Sequence, residues 1–219
     1  MSNTFIRNHQ YNLIKKQVNL LQSACNTAAN QKVIQSVREQ TQVKVLAACQ
    51  VTTEQQLQSL NAISLINTIT EFQSYLSSLE PYLEEFPKLT DTQLKKLFPK
   101  IKKLRTPNWV GLDYRYVTYL GWTDIATNKM FLVYRLDNQF VGIEGRFTPT
   151  HKKGVCFLCN RHEKVALFTS VIKAKPAKAS PDYYKAMGNY MCVNSDTCNH
   201  NITDVTALDK FFRDILGKL

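Results

Sequence analysis

Four of the six cysteines in this 219-residue chain fall in its last third, as two short-spaced pairs. Cys156 and Cys159 form C-x-x-C, Cys192 and Cys198 form C-x5-C, and 32 residues separate the pairs. Folded together, such pairs present four thiolates to one tetrahedral ion, the shell of a structural zinc site. A closed shell of four sulfurs leaves no position for water, so one such ion would fold a domain and perform no chemistry. Gly154 and Gly188, close before each pair, suit tight turns that carry backbone N–H groups toward the sulfurs. His162 and His200 stand beside the pairs, yet the cysteines complete the shell without them. A redox C-x-x-C would sit in a βαβ pattern, which does not surround this one. Cys25 and Cys49 lie singly in helical stretches and read as small buried hydrophobes.

Other chemistries find little support. The zinc-deaminase signature needs H-x-E upstream of P-C-x-x-C, and neither occurs. His162-Glu163 begins an H-E-x-x-H that is not completed, and no P-loop or G-x-S-x-G is present. No carboxylate pair is marked for acid–base work. The chain is therefore expected not to be an enzyme and to act through a surface.

The elements that must position the cysteines are legible in outline. Residues 1–80 contain neither Gly nor Pro, while the remainder holds all seven of each, which marks an all-helical N-terminal region. Leu13, Val18, Leu21 and Cys25 suggest a first helix, and Val33, Val37 and 45–48 a second. A third is expected from about Thr53 through Leu65, Ile69, Phe72, Leu76 and Leu79, ended by Pro81 and Pro87. Thr90 with Gln93 starts a short fourth helix that stops near Pro99. After Pro107 the texture turns to strands at 114–120, 129–135, 139–147 and 165–172, with Asp137-Asn138 as a hairpin turn. Residues 173–188 read as a mobile loop between the cysteine pairs. A last helix from Thr203 or Asp204 carries Leu208, Phe211, Phe212, Ile215 and Leu216. The expected fold is α+β in two domains, a helical bundle over 1–106 and a mixed α/β domain with a four-cysteine finger over 107–219.

The net charge of +11 is concentrated in the second half and favours an anionic partner, either nucleic acid or an acidic protein. The run Lys95, Lys96, Lys100, Lys102, Lys103, Arg105 invites a nucleic-acid reading. Leu94, Leu97, Ile101 and Leu104 interleave it at helical spacing, which instead assigns the lysines to the wet face of an amphipathic segment. The aromatic strand residues do not match the motif of an RNA-recognition sheet. Without a secretory h-region or an 18-residue apolar run, a cytoplasmic protein with reduced thiols and no membrane contact is expected.

Several segments, in order along almost the whole chain, resemble the FusB/FusC family of fusidic acid resistance proteins, elongation factor G-binding proteins. They are His9-Gln10-Tyr11-Asn12, Gly121-Trp122 with Ala126 and Asn128-Lys129, Lys153-Gly154-Val155-Cys156 with Cys159-Asn160, and Gly188-Asn189-Tyr190-Met191-Cys192 with Cys198-Asn199 and Thr203-Asp204. The resemblance implies a helical bundle followed by a domain with a treble-type four-cysteine zinc finger. It further implies a monomer that binds the C-terminal domains of elongation factor G and frees ribosomes on which fusidic acid has locked that factor, without binding the drug. Ribosome contact would be indirect. In the family the contact surface lies mainly on the zinc-bearing domain, and matching positions make Tyr190, Phe212 and Lys185 the partner-binding candidates. Met187 stands where resistance members carry a lysine, and Val155 where a larger aromatic is expected, which implies weaker affinity. The alternative is a zinc-containing RNA- or ribosome-binding protein without a role in resistance.

Overall fold

A stretch without helix breakers becomes helices, and the N-terminal residues do so in a computed structural model that describes residues 3–173, 180 and 183–217. The chain divides into two units, Met1–Glu85 and Phe86–Leu219. In the first, α1 (Asn8–Thr27) and α2 (Gln31–Ala48) are followed by α3 (Glu54–Asn61) and α4 (Ile69–Leu79). Tyr11, Ile14, Val18 and Leu21 form the buried stripe of α1, with Val45, Leu60, Ile63, Phe72, Tyr75 and Leu79 from the others.

The single long helix expected over 53–79 is broken. A 3-10 turn at Ala62–Leu65 ends the first piece, and Thr68 restarts the second. Thr68 Oγ1 accepts from the amide of Glu71 while the Glu71 carboxylate accepts from the amides of Thr68 and Asn67, a reciprocal cap. Arg38 of α2 donates to the carbonyls of Ser64 and Ile66, which satisfies acceptors the break would otherwise strand.

The second unit is built on one antiparallel meander in the order β1-β2-β3-β4-β5. The strands are β1 (Leu120–Asp124), β2 (Lys129–Leu136), β3 (Gln139–Val155), β4 (His162–Val171) and β5 (Ala186–Cys192). Asp137 and Asn138 both have positive φ, 49° and 62°, and make the expected tight turn between β2 and β3. Both faces of β2 are covered. Met130, Leu132 and Tyr134 join the core that holds the four cysteines and α7 (Thr206–Leu216), while Phe131 and Val133 join Leu120, Trp122, Leu94 and Phe98 on the other face. That second face is sealed by α5 (Asp91–Leu97) and the Phe98 that caps its C-terminus, whose ring edge meets Trp122 and Phe131 with centroids 5.8 and 5.1 Å apart. Gly142 makes this possible, since a Cβ there would lie 2.8 Å from the Phe98 ring.

These contacts move the domain boundary. Phe86, Leu94 and Phe98 belong to the core of the second unit, so the division falls at 85/86 and not at 106/107. The expected strand at 114–120 is a 3-10 turn at Tyr114–Tyr116, and β1 begins only at Leu120. Of the expected loop at 173–188, residues 174–179 and 181–182 lie outside those described, and 186–188 belong to β5. Among the described residues no helix is long and apolar enough to cross a membrane.

Candidate metal centre and docking face

β3 and β4 are joined by a knuckle that carries the first cysteine pair. The amide of Cys156 donates to Arg161 O and that of Asn160 to Cys156 O, each at 2.9 Å, and Asn160 takes φ 54° to close the turn. Asn160 thus supplies the tight turn that the glycines were expected to supply. Gly154 and Gly188 instead lie within strands; at Gly154 a Cβ would meet Val165 at 2.9 Å. Cys192 ends β5, and Cys198 sits in α6 (Ser195–Asn201).

α6 is short, and tertiary bonds fix it. Asn199 Oδ1 accepts from the amides of Thr118 and Tyr119, and its Nδ2 donates to Tyr119 O at 2.9 Å. Ser195 Oγ donates to Gly121 O at 2.7 Å. Together they hold the helix bearing Cys198 against the start of β1. Sequence periodicity could not find α6, although Asn194 beside Asp196 was a readable start signal: Asn194 Oδ1 accepts from the Asp196 amide.

The four sulfurs converge within 4.8 Å of one another, all buried. Cys156 and Cys198 sulfurs are 3.8 Å apart and those of Cys159 and Cys192 3.7 Å. A tetrahedral ion with Zn–S bonds of about 2.3 Å sets its sulfurs about 3.8 Å apart, so the donor set fits zinc. Charge agrees. Hydrogen bonds from Cys159, Cys192 and Cys198 hold the Cys156 thiol far below its usual range. Cys198 is driven far above it, by Cys156 first and then Cys159 and Cys192. Four thiolates buried this close together need a cation to neutralise them. Tyr119 is the buried hydroxyl in this pocket; it has no partner of regular geometry, and burial followed by the sulfur of Cys198 raises its pKa.

His162 and His200 are exposed and outside the cluster, with His200 ring nitrogen 2.9 Å from Asp196 O. Cys49 is buried and its thiol is pushed up to about 11, as befits a packed hydrophobe.

The partner-binding candidates separate. Tyr190 is 51 % exposed on β5, and Lys185, just before that strand, is exposed. Phe212 is fully buried, 5.4 Å from the Tyr134 ring, and Phe211 is buried against Phe157 and Phe168. Phe212 is therefore not a surface anchor. Leu208, Phe211, Phe212 and Ile215 form one wide stripe, and the sheet covers all of it. Beside Tyr190 runs an open groove of about 460 Å³ lined by Thr150, Lys152, Lys153, Gly154, Val155 and Val165. Val155 stands 60 % exposed on it. Among its described lining residues the groove offers apolar surface and two ammonium groups.

Residues 5–87 match the family described as elongation factor G-binding protein, N-terminal. Residues 99–211 match that described as FBP C-terminal treble-clef zinc-finger. A solved structure titled as that of the fusidic acid resistance protein FusC is similar over 99% of each chain, at 26% identity and a TM-score of 0.80. No curated protein sequence matches significantly. With the cysteine geometry, the treble-clef match identifies Cys156, Cys159, Cys192 and Cys198 as the ligands of one structural zinc ion.

Proposed function

Because the chain belongs to the FusB/FusC family, we propose that it binds elongation factor G and gives fusidic acid resistance by protecting that target. The observation that carries this reading is the pair of family matches, one in each unit and together spanning most of the chain. The zinc-bearing unit supplies the contact surface, directed at the C-terminal domains of the factor, with Tyr190 as apolar anchor and Lys185, Lys152 and Lys153 as cationic contacts.

The mechanism is a population shift. A binder that prefers the conformation of the factor incompatible with the stalled ribosome raises the fraction released, by no more than its preference between the two states. No bond is made or broken. The protein acts as a cytoplasmic monomer, reaches the stalled ribosome through its grip on the factor, and leaves the drug unbound. Positive charge on the second unit speeds encounter with an acidic factor.

The test is translation in vitro at an inhibitory fusidic acid concentration, with retention of elongation factor G on the immobilised protein measured alongside. Rescue of synthesis together with one-to-one, salt-sensitive retention is expected. Retention of no factor at low salt would remove the reading, and saturable binding of the drug to the pure protein would replace it with sequestration.

A further inference from the structure

The whole charge excess lies in one unit. Residues 1–85 carry six basic and six acidic groups, and residues 86–219 carry 22 and 11, a net +11. Within the second unit, Lys95, Lys96, Lys100, Lys102, Lys103 and Arg105 occupy eleven consecutive positions, and all six are exposed. None of the six pairs with a carboxylate among the described residues. The acid nearest in sequence, Asp91, accepts a hydrogen bond from Thr106.

These cations are presented from a pinned base. Leu94 and Phe98 are buried, and Leu97, Ile101 and Leu104 pack partly buried against the same core. Trp122 Nε1 donates to Arg105 O at 2.9 Å and ties down the far end. The segment seals the Trp122–Phe131 face of the sheet, while the cysteines and α7 fill the core on the other.

The chemistry selects the occupant. A protein partner is gripped by buried aromatic or aliphatic anchors at the centre of the contact, and Leu94, Leu97, Phe98, Ile101 and Leu104 are all turned inward, which leaves Pro99 as the one exposed apolar side chain of the segment. What remains outward is a row of ammonium groups and one guanidinium, the inventory that phosphate backbones neutralise with counter-ion release. We infer that the 95–105 segment is an RNA-backbone contact, without sequence preference, separate from the groove beside Tyr190. The choice of RNA over DNA rests on the translational role proposed above; the affinity for phosphate does not.

Fluorescence anisotropy of a labelled 20-nucleotide oligouridylate, titrated with the zinc-loaded full chain between 50 and 200 mM KCl, tests this. Each phosphate contact on a single strand contributes about 0.7 to the logarithmic salt slope, so five lysines predict a loss on the order of 100-fold over that range. The variant K95Q/K96Q/K100Q/K102Q/K103Q should bind at least about tenfold more weakly at 50 mM, with a slope flatter by up to about 3.5. Its zinc content and melting temperature should be unchanged, and Tyr190→Ala should bind RNA as the parent does. The inference is overturned by absence of saturable binding at 50 mM KCl, by unchanged affinity and slope in the quintuple variant, or by tighter binding to DNA of the same length. It is also overturned if the variant keeps RNA but loses elongation factor G, which would make the segment a protein contact. No factor is present in the RNA titration, so its outcome is independent of the factor-binding reading.

Discussion

The amide of Phe157, between the first two zinc ligands, donates to the carbonyl of Tyr190 at 2.9 Å. The finger thus holds the backbone of the strand whose exposed tyrosine borders the apolar groove. Metal and docking face are mechanically one piece, because Tyr190 also stands two residues before the ligand Cys192.

Cys192→Ser should therefore abolish both zinc and factor retention. Structural zinc contributes about 10–16 kcal/mol of apparent binding free energy in small domains. The melting transition of the second unit should be lost, while most far-UV helix signal from α1–α4 persists. Metal analysis with circular dichroism checks this; a variant that kept one ion and full activity would refute the ligand assignment.

Tyr190→Ala and Phe212→Ala should fail differently. The first removes an exposed ring and should weaken factor binding by about 1–2 kcal/mol with an unchanged melting temperature. The second empties a core position and should cost about 3–5 kcal/mol of stability. Paired binding isotherms and thermal melts separate them. Unfolding by Tyr190→Ala would assign that ring to packing.

Tyr119→Phe has an outcome whose sign is informative. If the buried hydroxyl donates to the Cys198 sulfur in the zinc-loaded protein, its loss should lower zinc affinity about tenfold, read by chelator competition and by the cobalt-substituted absorption spectrum. An unsatisfied hydroxyl would behave oppositely, with its removal stabilising the fold and leaving zinc affinity unchanged.

Burial of Cys49 makes the first unit sensitive to alkali. Its thiol titrates near 11 when folded against 9.0 ordinarily, so between those values the unfolded chain has released a proton that the folded chain retains. Stability present below pH 9 should fall by roughly 2 kcal/mol as pH rises toward 11, and Cys49→Ala should flatten that slope. Denaturant melts of the helical signal at pH 8 and 10.5, under reducing conditions, measure it.

The cysteine set, the helical first unit and the Asp137-Asn138 hairpin could be read from residue type and spacing, because each is a local signal. The break before α4 was equally local, since Thr68 and Glu71 have capping spacing, but a continuing apolar period masked it. The course of residues 86–106 was not legible. It depends on Gly142 lying beneath Phe98, a contact between segments far apart in sequence. Nor was α6, whose seven residues owe their place to Asn199 and Ser195 reaching β1. The burial of Phe212 was not legible either, because a stripe about 100° wide accommodates two adjacent aromatics, and here it buries both.

Every strand of the meander pairs with its neighbour in sequence, so the sheet can zip together hairpin by hairpin through contacts of low sequence separation. The two cysteine pairs, by contrast, meet only after β3, β4 and β5 have all docked. Metal capture is then the closing act of assembly, and in a zinc-starved cell the second unit would stall short of a cooperative fold, vulnerable to proteases at the unclasped end of β5.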